Sequence, residues 1–379
     1  MKATRYAVIG FGLALSIAPA RADAVAWPTS GGSPARTNER VSTDVRHPAL
    51  IWRSWGQTSR TGRVIEHGVT VAGGRVYGVT QAGTHFAFSE SDGSVLWRQY
   101  HGGTFASVPT YRRGMLYVNG RRPGRLWKLR ADTGAVVWSR RLIPGVTTAE
   151  SEGAPLVVGR RVFVTSSRGG GAHLLAFSTA TGRRLWARRL CLLAWQAPTW
   201  TGRRVVVGDY CGIVRAYTPR GRKVWTNDLI GSSYASTTYR AGAIYASTKL
   251  GRLYKLSERT GRTRWIKSTG SSSGYGECAV SRTRVFCTNL DGTVSAFTVR
   301  RGRVLWRRHF GERIYGACVL TQGMLWVALH DSKQIVALGP RGGGERFRWG
   351  SGRYDPAAAN GETLYLVGHT SVSAWKEAA

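Results

Sequence analysis

The stretch GRLYKLSERTGRTRW, Gly251–Trp265, decides the fold. It opens on a small turn, runs through Leu253, Tyr254 and Leu256 in a strand-like pattern, turns again at Thr260-Gly261 and ends on a tryptophan. Similar stretches recur. GTHFAFSESDGSVLW ends at Trp97, GRLWKLRADTGAVVW at Trp138, GAHLLAFSTATGRRLW at Trp186 and GIVRAYTPRGRKVW at Trp225. GTVSAFTVRRGRVLW ends at Trp306 and KQIVALGPRGGGERFRW at Trp349, while Trp52, in PALIWRSW, has no copy before it. These tryptophans follow one another at intervals of 39 to 48 residues. Self-similarity at such a period marks a solenoid, a propeller or an array.

The inside of each unit selects among these. An apolar run such as GAIYAS (242–247) meets a Gly-containing turn. An alternating run follows, then a T-G turn, then a short strand ending in Trp. Two-residue alternation bounded by Gly, Asn, Asp and Ser reads as strands, and no stretch has a helical apolar stripe. Four short antiparallel strands per unit, A to D, predict an all-β propeller. The chain starts with a lone D strand around 50–52 and ends in ETLYLVGHTSVSAW, strands B and C without a D. Pairing the first strand with the last blade removes the open edges. The expectation is one eight-bladed propeller over 48–377, preceded by an arm, 25–47, that holds Pro28, Gly31, Gly32 and Pro34.

The first residues read as an export signal. Lys2 and Arg5 precede an apolar run, Ala7 to Ile17, and Ala22-Asp23-Ala24 supplies a cleavage site near Ala24. That run is too short to span a bilayer, and no later segment reaches the length needed. The first cysteine after the site is Cys191, which argues against a lipid-anchored start. The 379 residues carry 55 Lys and Arg against 20 Asp and Glu, a formal charge of +35 that draws anions. Nucleic acid would bind such a chain without specificity, and an exported protein rarely meets it.

The unit G-x-L/V-x-A-L/F-x-x-x-T-G-x-x-x-W resembles the repeat of the pyrroloquinoline quinone (PQQ) enzymes, over nearly the whole mature chain. That superfamily of eight-bladed propellers includes quinoprotein alcohol dehydrogenases and the outer-membrane assembly lipoprotein BamB. The resemblance implies that Trp97, Trp138, Trp186, Trp225, Trp265, Trp306 and Trp349 dock each blade on the next. It implies no catalysis. The family's dehydrogenases carry adjacent cysteines, a catalytic Asp and a calcium site of carboxylates and Asn, whereas here no two cysteines are adjacent and the acids are scattered. Zinc, P-loop and G-x-S-x-G motifs are missing as well. The expectation is a monomeric scaffold in the cell envelope or periplasm, without cofactor or metal, whose partners are envelope proteins or anionic envelope polymers. A PQQ-dependent dehydrogenase with calcium is the first alternative, and a binder of a polyanion or carbohydrate-like ligand the second.

Registering the blades on strand B aligns Tyr77, Tyr117, Phe163, Val206, Tyr245, Phe286, Trp326 and Tyr365. A column at the start of strand A then reads Glu66, Ala106, Glu152, Trp195, Tyr234, Tyr275, Tyr315 and Tyr354. Strand A lines a propeller's channel, so these side chains form either packing between inner strands or an aromatic funnel with an acidic gap, as small-molecule pockets use. The opposite face gathers arginines, among them Arg112, Arg113, Arg160, Arg161, Arg203 and Arg204. They read as a solvated face or as a polyanion-binding ring. Of the five cysteines, Cys191 and Cys211 fall on one face of blade four and are the favoured disulfide. Cys278–Cys287 across a hairpin comes second, Cys278–Cys318 is a weaker rival, and buried thiols remain open for the last three.

Overall fold

The computed structural model describes residues 27–379 apart from 41, 56–64, 66, 103, 105, 145–148, 150, 169–170 and 271–275. Every named element is a strand. Seven blades follow one another, at 70–100, 110–141, 156–191, 199–228, 238–268, 279–309 and 319–350. The eighth joins Ala357–Asn360, Thr363–Val367 and Ser371–Glu377 to the early strand Pro48–Trp55, which pairs antiparallel with Ser371–Glu377 and closes the ring. Successive inner strands lie side by side around the channel, and the last inner strand meets the first.

One joint, repeated, sets the period. In each blade the C–D ladder shifts register just before the tryptophan position, as between Lys255 and Leu256 where Trp265 and Thr263 are their partners. This bulge turns the ring toward the next blade. Trp225 Nε1 donates to the Glu258 carbonyl of blade five at 2.8 Å, and Trp97 Nε1 donates to Ala131 O at 3.0 Å. Trp52, Trp138, Trp186 and Trp306 do the same. Each ring lies on the glycine of the next blade's C–D turn, a T-G in three of these cases. A Cβ on Gly261, whose φ is +74°, would fall 2.6 Å from the Trp225 ring. The turn glycine of one blade and the Trp of the blade before it therefore form one interface, which is why the two recur together.

Two joints depart from this rule. In blade seven the ladder places Phe347 opposite Ala337, so the docking position is Phe347 and not Trp349, to which the family resemblance assigns it. Both side chains meet Trp375 edge-on. Trp265 packs beside Tyr245, but its buried Nε1 has no partner.

The inner ring is tied by threonines. Thr110 Oγ1 donates to Pro155 O at 2.7 Å, Thr199 Oγ1 to Thr237 O at 2.5 Å and Thr238 Oγ1 to Cys278 O at 3.0 Å, each reaching the next blade. Two disulfides add covalent ties. Cys191–Cys211, with Cα atoms 5.8 Å apart, joins the end of blade three's outer strand to the B–C turn of blade four, and Cys278–Cys287 bridges the A–B hairpin of blade six. Cys318 is a buried free thiol that burial pushes up to about 12.

The arm lies against the channel rather than beside the propeller. Trp27 pairs its backbone with Val71 of blade one, and Pro28 O accepts from Tyr111 N of blade two. The carbonyls of Pro34, Ala35, Thr37 and Asn38 accept from Trp200, Tyr239, Val280 and Leu320 N of blades four to seven. Glu39–Arg40 then adds a parallel strand to Val319–Thr321. These contacts sit at the A–B end of the inner strands, so the arm floors the channel there, and among the described residues the other end is open.

Candidate functional site

The open end is a cup of about 310 Å³, walled by the starts of the inner strands. Glu152, Trp195, Tyr234, Tyr315 and Tyr354 all line it. Glu66 and Tyr275, the other two members of that column singled out from the sequence, lie outside the described residues. Trp195 and Tyr234 stack with centroids 5.2 Å apart and planes 9° from parallel. On the far wall Tyr315 and Tyr354 meet at 6.1 Å, with His330 against both. Glycines let these starts converge. A side chain on Gly153 or Gly276 would run into the neighbouring blade's backbone, at Ala197 N and Gly316 O respectively.

Cations brace the aromatic rings. Lys249 Nζ lies 4.7 Å from the Tyr234 centroid, Arg313 5.7 Å from Tyr315 and Arg353 5.2 Å from Tyr354, within cation–π range. Arg121 approaches Glu152 at 3.7 Å. The wall is thus preset before any ligand enters.

The floor is ionic, and the strand-A column does not reveal it. Arg36 of the arm is fully buried. Its guanidinium donates to Pro198 O at 3.1 Å, Ser30 O at 3.0 Å and Ala154 O at 3.0 Å. Glu277 and Asp355 face it from blades six and eight, deep in the channel and touching the cup. Asp355 accepts from Gly68 N and Ala317 N, each at 3.3 Å, and Glu277 Oε2 accepts from Asn38 Nδ2 at 3.4 Å. Burial pushes both carboxyls above their ordinary range, against the pull of Arg36. Burial likewise lowers Arg36 against the two carboxylates, yet a guanidinium stays charged. His67 also lines the cup, with Nε2 buried and unpartnered, and burial lowers its pKa so that it is neutral at pH 7. Glu277 was within reach of the sequence. It stands two residues beyond Tyr275 of the strand-A column. Arg36 gives no such signal, because the arm has no repeat to register against.

The floor does not fit a calcium–quinone centre. Hard cations need clustered oxygen ligands. Here two carboxylates share the site with a guanidinium, and both are already engaged by backbone or side-chain donors. Among the described residues no group of three or more His, Cys, Asp or Glu side chains could hold a metal ion.

On the opposite face Arg113, Arg160 and Arg203 are exposed, and Arg112, Arg161 and Arg204 are partly buried. Arg112 donates to Val157 O at 3.2 Å, and Arg204 pairs with Glu258 at 3.1 Å. Among the described residues no helix is long and apolar enough to cross a membrane.

A family model described as outer membrane protein assembly factor BamB matches residues 37–192 and 210–351. Outer membrane protein assembly factor BamB of Yersinia pestis is 21% identical over 249 residues, 66% of this chain and 54% of that protein. Its counterpart in Shewanella oneidensis is 21% identical over 293 residues, 71% of this chain and 62% of that protein. The matched part thus spans little more than half the length of these relatives. Among solved structures, BamB from Moraxella catarrhalis superposes with a TM-score of 0.72 at 19% identity, covering 87% of this chain and 97% of that one. Quinohemoprotein alcohol dehydrogenase from Comamonas testosteroni superposes with a TM-score of 0.77 at 13% identity, over 93% and 81%. At such identities the superpositions show a shared fold.

Proposed function

The chain belongs to the family of outer membrane protein assembly factor BamB, and from that premise we propose that it is an exported, non-catalytic scaffold that helps assemble proteins in the cell envelope. The observation that carries this reading is the extent of the family match, which takes in part of the arm and most of the ring. The floor of the cup supports the non-catalytic part. Among the described residues, the channel's carboxylates face an arginine and accept from backbone and side-chain donors, which leaves no free oxygen cluster for a metal and no activated nucleophile. Deleting the gene in its host should lower the amount of folded envelope proteins without lowering their synthesis. An unchanged envelope profile overturns the assembly role. Alcohol or sugar oxidation by the purified protein that depends on added PQQ and calcium overturns the non-catalytic one.

A second reading is favoured by the parallel Trp195–Tyr234 pair, and it concerns the cup alone. Flat aromatic faces above convergent carboxylates suit a carbohydrate-like ligand, with the rings against C–H faces and Glu152, Glu277 and Asp355 accepting from hydroxyls. Titrating the protein with simple sugars should then change its tryptophan emission, and Trp195→Ala should abolish the change. An equal response in that variant rules the cup out.

A further inference from the structure

The face that carries the arm is divided by charge. Its turns in blades three to six are residues 159–160, 179–183, 201–204, 218–222, 241–242, 258–262, 281–283 and 299–303. All but one of them hold arginine, and they contain a single carboxylate, Glu258. That carboxylate is engaged by Arg204 at 3.1 Å and by Thr201 Oγ1 at 3.0 Å. Arg160, Arg203, Arg220, Arg259, Arg282 and Arg301 stand exposed. The corresponding turns of blades seven, eight, one and two are 322–324, 339–344, 361–362, 73–74, 90–94, 113–114 and 131–135. They carry Glu362, Glu90, Asp92 and Asp132 against Arg113 and Arg341.

Arginine-rich codon usage would scatter guanidinium groups over both halves. It would not clear one half of carboxylates while placing them in the other. The segregation therefore points to a surface with a partner. Two further features lie within or beside the basic half. Leu185 and Val304, 37% and 40% exposed, stand at the start of the outer strands of blades three and six next to these turns, as Val95 and Val136, 45% and 47% exposed, do in blades one and two. At the boundary with blade two an open groove of about 560 Å³ is edged by Arg140, Arg141, Arg183 and Arg184, over Pro144 and Phe177.

We propose that this half of the arm face docks peripherally on an anionic phospholipid surface. The guanidinium groups stand on the turns of one face of a disc, so they present a plane and not a cleft, which matches a bilayer better than a single polymer strand. Guanidinium forks take phosphate oxygens in pairs. A negative membrane surface attracts basic groups held near it, and the attraction decays within a Debye length. Apolar points that suit the headgroup boundary recur in both halves of the face, so the charge, and not Leu185 or Val304, selects the half that docks. In this pose the cup opens away from the membrane, toward whatever the scaffold holds.

The test is flotation with phosphatidylcholine vesicles, with and without phosphatidylglycerol, at low and high salt. Binding should need the anionic lipid and be lost at high salt. Reversing Arg160, Arg203, Arg259 and Arg301 to Glu should weaken it by about tenfold or more. Reversing Arg113 and Arg341 in the other half should change it far less, and both variants should melt like the parent because the side chains are exposed. Equal binding to neutral vesicles overturns the proposal, as does an equal effect of the two sets of reversals. Capture by soluble polyphosphate without binding to anionic vesicles also overturns it, by making the partner a polymer.

Discussion

The joints between blades and the hub of the ring are built on opposite principles. Around the joints one device recurs, a tryptophan on one blade lying over the glycine of the next, as Trp97 lies over Gly134 and Trp225 over Gly261. At the hub the inner strands repeat, but what fills their centre does not. One arm threads past the inner strands and offers each a different residue, and its single buried arginine faces carboxylates from two distant blades. A ring of near-identical units has no intrinsic end and no unique centre. The joints give it stability in increments, and the arm makes its blades distinguishable.

The comparison breaks most severely if the arm is removed. A chain beginning at Thr43 loses backbone hydrogen bonds to six blades, the buried Trp27 and the charge that faces Glu277 and Asp355. Its melting temperature should fall further than that of any single substitution. Should that chain fail to fold, Arg36→Ala isolates the ionic part. Leaving buried charges without their partner costs about 3–5 kcal/mol. Denaturant unfolding checks both, and a loss below about 1 kcal/mol for Arg36→Ala would reduce the hub to decoration.

The joints should respond next. Trp225 is 7% exposed and its indole is satisfied, so Trp225→Ala should cost about 3–5 kcal/mol, as removal of a large buried aromatic does. Trp265→Ala should cost less, because its Nε1 is already unpartnered and its ring is partly exposed. Equal losses at the two positions would mean that the hydrogen bond to the next blade contributes nothing.

This division also explains what the sequence could reveal. The period, the closure by Pro48–Trp55 and the aromatic wall of the cup were readable because each is a column across blades, and columns average out local noise. Phe347 was missed because the repeat was recognised by its closing tryptophan: Phe347 stands ten residues after Ala337, as Trp97 does after Ala87 and Trp306 after Ala296, while blade seven's tryptophan comes two residues later. The ionic floor was missed for a different reason. Arg36 belongs to a segment with no counterpart elsewhere in the chain, and its partners are more than two hundred residues away.

One joint should carry a pH dependence. His85, in the joint between blades one and two, is buried against His101 and Trp127, and neither ring nitrogen has a partner. Burial, followed by the charge of His101, lowers its pKa from 6.5 to about 3. In this window the folded protein refuses a proton that the unfolded chain accepts, so stability falls as pH drops from about 6.5 toward 3, by up to about 1.4 kcal/mol per pH unit. The raised Glu277 and Asp355 act with the opposite sign, since the folded state holds their protons more readily. Melting curves of the parent and of His85→Leu across this range separate the two. The difference between them should grow toward acid in favour of the variant, and a constant difference would remove His85 from the account.

The smallest effect is expected at the wall of the cup, where the hub meets solvent. Tyr315 is partly exposed, and it touches His330 and Tyr354 along one wall of the cup without supporting a neighbouring blade's core. Its hydroxyl accepts from Arg313 at 3.3 Å, a contact made at an exposed rim where such bonds contribute little. Tyr315→Ala should therefore cost about 1 kcal/mol or less, well below the range for a buried large aromatic. Its effect should fall on binding instead, because the ring forms a quarter of the described aromatic wall made by Trp195, Tyr234, Tyr315 and Tyr354. Unfolding measured beside Trp225→Ala decides the matter. If the two substitutions cost the same, the wall is packing that holds the inner strands apart, and the cup is a by-product of closing eight blades around an arm.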